Sequence, residues 1–149
     1  MSKPILLVLS VCFGLTLSPR LLAENPLISL SIGGHRLDAE IAHTYDTRAK
    51  GLMNRAAIPE NQGMLFVFPK IDFYSMWMLN TPLPLSVAFI DEKGTILNIE
   101  AMTPFSTVAH SSIKPAKYAL EMHQAWFTSK KITAGNKVIG LENAPDAIE

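Results

Sequence analysis

A mainly β fold, either an antiparallel sandwich or a partly open barrel with one short N-terminal helix, is what the sequence predicts. Three observations carry that expectation. Seven or so short apolar runs are separated by turn residues, only one early stretch has helical texture, and strands and helices do not alternate regularly as they do in a doubly wound sheet. The first two runs, 27–32 and 37–42, alternate apolar and polar side chains around Gly33-Gly34, whose tolerance of positive φ suits a hairpin turn. From Asp46 the texture changes: Asp46 or Thr47 can cap a helix running through Arg48, Ala49, Leu52 and Met53 and ending near Arg55, ahead of Pro59. Gly51 inside that helix costs about 1 kcal/mol relative to Ala, which implies that something packs closely against it.

Residues 63–68 form a continuous apolar run closed by Pro69, the pattern of a buried central strand. A second strand is expected at 73–79, broken by Asn80-Thr81-Pro82, and a hairpin joins 85–90 to 95–102 through Asp91-Glu92-Lys93-Gly94. A polar loop then spans 104–115 with His110, Ser111 and Ser112. Residues 117–122 make another strand, 124–130 a short helical or irregular piece, and 137–141 the last strand; the tail beyond Glu142 is expected to fray. Leu65, Val67, Trp77, Val87, Phe89, Ile96 and Leu120 are the expected core.

The N-terminus reads as a cleavable export signal over residues 1–23: Lys3, an apolar stretch over 5–17, then Ser18-Pro19-Arg20 and Leu21-Leu22-Ala23. That stretch falls short of the ~20 residues a membrane-spanning helix needs, so no stable span is expected after cleavage at Ala23. A single domain, 24–149, is therefore expected to work in the periplasm or to be secreted. Cys12 is the sole cysteine and lies in the signal, with Val11 where a lipoprotein signal carries a small residue. The mature domain then has no thiol nucleophile, no thiolate metal site and no disulfide. Losing Lys3 and Arg20 leaves about 11 basic groups against 13 acidic ones, a balance that points away from nucleic acid.

Four strings follow one another in the mature chain: 48–55 (RAKGLMNR), 63–68 (GMLFVF), 77–81 (WMLNT) with Pro84-Leu85, and Leu120-Glu121. Their order and spacing resemble the domain of unknown function 192 family across roughly residues 37–141. The resemblance implies a β-rich sandwich or barrel with an early helix, often behind an export signal, and implies no activity. Two positions depart from the family pattern: Leu79 stands where a Lys is usual and Ser86 where an Asp is usual. A hairpin around 81–84 would set them opposite each other, so their joint loss suggests a dispensable ion pair.

Arg48 and Arg55, two helical turns apart, are expected to leave one helix face and, with Trp77, Asn80, Thr81 and Glu121, to form a pocket for a small polar ligand such as a saccharide or peptide fragment. The plainer reading has each Arg bracing a loop carbonyl or an acid. Glu121, mid-strand between Leu120 and Met122, is expected to need Arg48 or Arg55 as its partner. Three alternatives stand beside the binding module: an envelope hydrolase using Glu121, with Asp72 as a second acid, a structural or assembly factor, and a Met76/Met78 soft-metal site for copper. Methionine is more often core filler, so no metal and no cofactor is assigned. The sequence carries no nucleophile elbow, no His-Glu-x-x-His helix and no phosphate-cradling glycine loop.

Overall fold

A computed structural model describes residues 25–149; the expected signal, Cys12 and the cleavage point lie outside the described residues. The chain runs β1 (Leu27–Ile32), β2 (His35–Ala42), α1 (Tyr45–Lys50), β3 (Gln62–Asp72), β4 (Ser75–Met76), β5 (Leu85–Ile90), β6 (Ile96–Met102), β7 (His110–Ser111), β8 (Ala116–His123), α2 (Trp126–Ser129) and β9 (Val138–Ile139). Seven strands form one curled sheet in the order β6-β5-β8-β3-β2-β1-β9, and β4 pairs with β7 as a separate ribbon. The Gly33-Gly34 hairpin and the β5–β6 hairpin form as their turn residues dictate.

One pairing departs from the antiparallel expectation. β2 and β3 run parallel, joined by a crossover that contains α1, while the other sheet neighbours are antiparallel. The sheet curls until its edges approach at one end, where a bridge links Thr95 to Lys137 beside β6 and β9. Three backbone bonds hold this contact, Ile96 N–H to Asn136 O at 2.9 Å, Gly135 N–H to Ile96 O at 2.8 Å and Val138 N–H to Gly94 O at 2.8 Å. The fold is thus mainly β, a half-barrel with few helices.

Strand alternation sorts the apolar side chains into two clusters. Leu65, Val67, Ala88, Ile90, Leu120 and Met122 face α2 and the C-terminal segment, where Trp126, Phe127 and Leu141 complete one core. Met64, Phe66, Phe68, Val87, Phe89 and Ala119 face the other way, under the segments 43–61 and 73–84, which add Leu52, Ile58, Met78 and Leu83. β3 is buried on both faces, and so its sequence is continuously apolar. It does not stop at Pro69: the strand continues to Asp72 through an irregularity in its pairing with β8, where a missing N–H costs no ladder bond.

Several expectations fail for identifiable reasons. The helix begins at an N-cap Thr44, whose hydroxyl accepts from Thr47 N–H, and ends at Lys50 because Gly51 turns away at φ 48 and ψ −135. A close neighbour at Gly51 is indeed present, since a Cβ there would lie 3.2 Å from the Phe66 ring. Only Ser75–Met76 of the 73–79 stretch is strand, and it pairs outside the main sheet, so Trp77 is 55% exposed instead of in the core. The hairpin around 81–84 does not form. Ser86 faces the α2 side and donates to Gln124 O at 2.8 Å, whereas Leu79 lies over the opposite face and is 36% exposed; the two positions cannot pair. Nor is the tail frayed: Ile148 N–H donates to His43 O at 2.7 Å, and Ala144 and Ala147 pack on the first core.

Candidate functional site

The face under the irregular segments carries the buried carboxylates. Register places Glu40 of β2 opposite Met64 of β3, Met64 opposite Glu121 of β8, Glu121 opposite Val87 of β5, and Val87 opposite Glu100 of β6. These five residues form one row across the sheet, neighbours about 4.8 Å apart and pointing to the same side. An apolar run here would have finished a second core. Instead, acids at three positions must each find a solution.

Glu40 has one. Both terminal nitrogens of Arg55 donate to its two oxygens, the Nη2 bond measuring 2.7 Å, and Asn25 Nδ2 donates at 3.2 Å. Glu100, half-buried, accepts from Asn98 Nδ2 at 3.0 Å, and the same amide anchors the β7 loop through Ser111 O and Ile113 N–H. Glu121 is different. It is 4% exposed, its carboxyl has no hydrogen-bond partner among the described residues, and burial alone pushes its pKa up to about 8. Arg48 and Lys50 line the same cavity as Glu121, yet neither gives its carboxyl a hydrogen bond.

Glu121 meets its partner strand at close quarters. A Cβ on Gly63 would fall 2.1 Å from Glu121 O and 2.3 Å from the Met122 sulfur, so only glycine permits β3 and β8 to pair at this height. Glu121 lines a cavity of about 270 Å³ between the α1 turn and the 75–81 segment.

Of the six residues read from the sequence as a pocket, the cavity gathers Arg48, Trp77, Thr81 and Glu121; Arg55 and Asn80 do not line it. Because α1 stops before Arg55, the two arginines never share a helix face. Arg48 spends its guanidinium on backbone carbonyls: Nη1 donates to His43 O at 2.5 Å and Val67 O at 3.3 Å, and Nη2 to Ile148 O at 3.1 Å. The plainer reading of both arginines is the one the geometry matches, and neither pairs with Glu121. Asn80 sits at φ 52 in a turn whose carbonyl accepts from Asn54 N–H at 2.8 Å. Thr81 is buried and donates to Leu79 O at 3.0 Å.

Sequence reasoning missed Met53, Phe66 and Lys50 as cavity residues, and Met76 was read only as a metal ligand. Their nearness follows from the Gly51 turn and from the β4–β7 ribbon, neither of which has a local signal. Asp72 pairs with Ala116, five residues or about 17 Å along β8 from Glu121, so those two acids cannot flank one bond. Met78 is buried in the second core, and Met76, half-buried, packs against that core and also lines the cavity. No group of three His, Cys, Asp or Glu that could hold a metal occurs among the described residues, and no described helix is long and apolar enough to cross a membrane.

Comparison with solved structures places this architecture among known folds. A protein from Sinorhizobium meliloti, provisionally described as a transcription regulator, superposes with a TM-score of 0.76 at 31% identity over 78% of this chain and 95% of its own. A protein of unknown function from Novosphingobium aromaticivorans superposes with a TM-score of 0.74 at 25% identity over 79% and 88%. No curated protein matches the sequence. The family model described as DUF192, Uncharacterized ACR, matches residues 28–140, which adds β1 to the span expected from the four strings; the chain belongs to that family.

Proposed function

We propose that this chain is a small-ligand binding module whose site is the cavity between the α1 turn and the 75–81 segment, with Glu121 at its floor. One observation carries the reading: Glu121, 4% exposed and with no hydrogen bond to its carboxyl from the described residues, lines an open cavity. Leaving such a group unsatisfied costs free energy that a complementary ligand recovers. Trp77 at the rim supplies an exposed aromatic surface and Thr81 a hydroxyl, a mix typical of sites for small polar molecules. A thermal-shift screen against sugars, amino acids, amines and peptides tests it. A ligand that raises the midpoint in the wild type and not in Glu121→Gln or Trp77→Ala supports the site; a silent panel overturns it.

The envelope hydrolase is the second reading, favoured by a carboxyl that stays protonated at neutral pH and suits general-acid work. It has less support, because the other two acids of the row are both engaged, Glu40 by Arg55 and Glu100 by Asn98. A purely structural or assembly role predicts that Glu121→Gln alters nothing but stability. The regulator description of the Sinorhizobium protein suggests DNA as a partner, yet a formal net charge of +0 offers no excess of cations for phosphates.

Export completes the proposal, resting on the order of charge, apolar stretch and Ala23 at the N-terminus. Cell fractionation followed by N-terminal sequencing checks it. A mature start at Glu24 outside the cytoplasm supports export; an intact Met1 in the cytosol overturns it.

A further inference from the structure

We infer that the cavity takes an amine, an amphiphilic cation whose ammonium group seats on the Glu121 carboxylate while its apolar body lies against Trp77, Met53 and Met76. The inference rests on the proposed binding site and names the ligand class. The charges around Glu121 decide the sign. On α1, Arg48 is committed to three backbone carbonyls, and Lys50 is exposed at the cavity wall. Along the row, Glu40 is neutralised by Arg55 and Glu100 is bonded to Asn98. On the same face of β8, His123 is bonded through Nε2 to Ile58 O at 2.9 Å. None of these groups bonds to the Glu121 carboxyl, so among the described residues the positive partner that a buried carboxylate requires is not supplied and is the part a ligand brings.

The walls suit the apolar body: Trp77 presents an exposed aromatic face, and the flexible thioethers of Met53 and Met76 adapt to its shape. The volume is at the small end for ligand sites, which limits the body to about one ring.

Binding is a proton exchange with no covalent change. Glu121 enters the reaction as the neutral acid, its proton leaves to solvent, and the ammonium–carboxylate pair remains. Affinity for an amine therefore rises with pH, roughly tenfold per unit below the pKa of the free acid, and levels off above it. A neutral ligand that accepts a hydrogen bond from the protonated acid shows the reverse trend.

The experiment is titration calorimetry of the protein as purified from its full-length gene with phenethylamine, with the neutral isostere phenylethanol and with the anion phenylpropionate. Each is run at pH 6, 7 and 8 in two buffers of different ionisation heat. The expected result is binding of the amine with about one proton released at pH 6, weaker or absent binding of the other two, and at least about a tenfold loss in Glu121→Gln. Proton release is read on the wild type, so the test does not depend on the variant folding. Tighter binding of phenylethanol or phenylpropionate, or amine binding without proton release, overturns the amine inference and leaves the cavity reading intact. Silence from all three also overturns it; the cavity reading falls with it only if the wider thermal-shift panel is silent too.

Discussion

The two faces of the curled sheet are built from the same strands and do different things. On the α2 side, Leu65, Val67, Leu120 and Met122 meet Trp126 and Phe127, whose rings pack edge to face 5.3 Å apart, and α2 with the C-terminal segment covers the surface. On the other side the same β3 and β8 offer Met64, Phe66 and Ala119, interrupted by Glu121, beneath irregular segments that leave a cavity. Strand alternation makes this division possible, since consecutive residues such as Leu120 and Glu121 answer to different environments. Within the second face, Glu40 and Glu121 repeat the contrast at closer range. They are the same residue type in one register row, two strands apart; one is clamped by Arg55 and the other has no clamp among the described residues. The first face closes the fold, and the second keeps one polar group in reserve.

The largest test of that contrast is Phe127→Ala. Emptying a fully buried site on the sealed face is expected to cost about 3–5 kcal/mol in urea denaturation, and a loss under about 1 kcal/mol means the face is not sealed. Arg55→Ala comes next. It leaves the Glu40 carboxylate with Asn25 alone, and because Arg55 is 32% exposed the expected cost is about 1–3 kcal/mol, partly recovered in the double variant with Glu40→Gln. No recovery means that the clamp is not what distinguishes the two acids.

The third test is the pH dependence of stability. Glu121 has a folded pKa of about 8 against 4.5 unperturbed, so between those values the folded state holds a proton that the unfolded chain has released. Stability from this group is full below about pH 4.5 and falls as pH rises toward 8, by at most about 1.4 kcal/mol per unit. Glu121→Gln should remove that slope, and parallel pH profiles for the two proteins rule out a buried free acid. The smallest effect is Trp77→Ala. With its ring largely in water, it should change stability by no more than about 0.5 kcal/mol while weakening ligand binding; a cost like that of Phe127 makes Trp77 core after all.

Much of the β framework was legible because its signals are local. The Gly33-Gly34 pair, the 91–94 turn and the unbroken run 63–68 each encode an element within a few residues, and Glu121 stood out as an acid in an apolar strand. The candidate site was only partly legible. Trp77 reads as core in a run such as 73–79, and nothing nearby says that this run pairs with β7 outside the sheet. The Arg48–Arg55 pairing looked sound at helical spacing until Gly51 at φ 48 ended the helix between them.

The sequence by itself determined the mainly β class, the family, the order of the strands along the chain and the oddity of Glu121, because alternation, turn chemistry and motif spacing are properties of neighbouring residues. Tertiary structure alone decided that β2 and β3 run parallel, that Arg55 closes on Glu40, and that Glu121 is left facing a cavity. The physical reason is distance along the chain. Arg55 and Glu40 are fifteen residues apart, and Glu121 lies beside Met64 and Val87 only once β8 has slotted between β3 and β5.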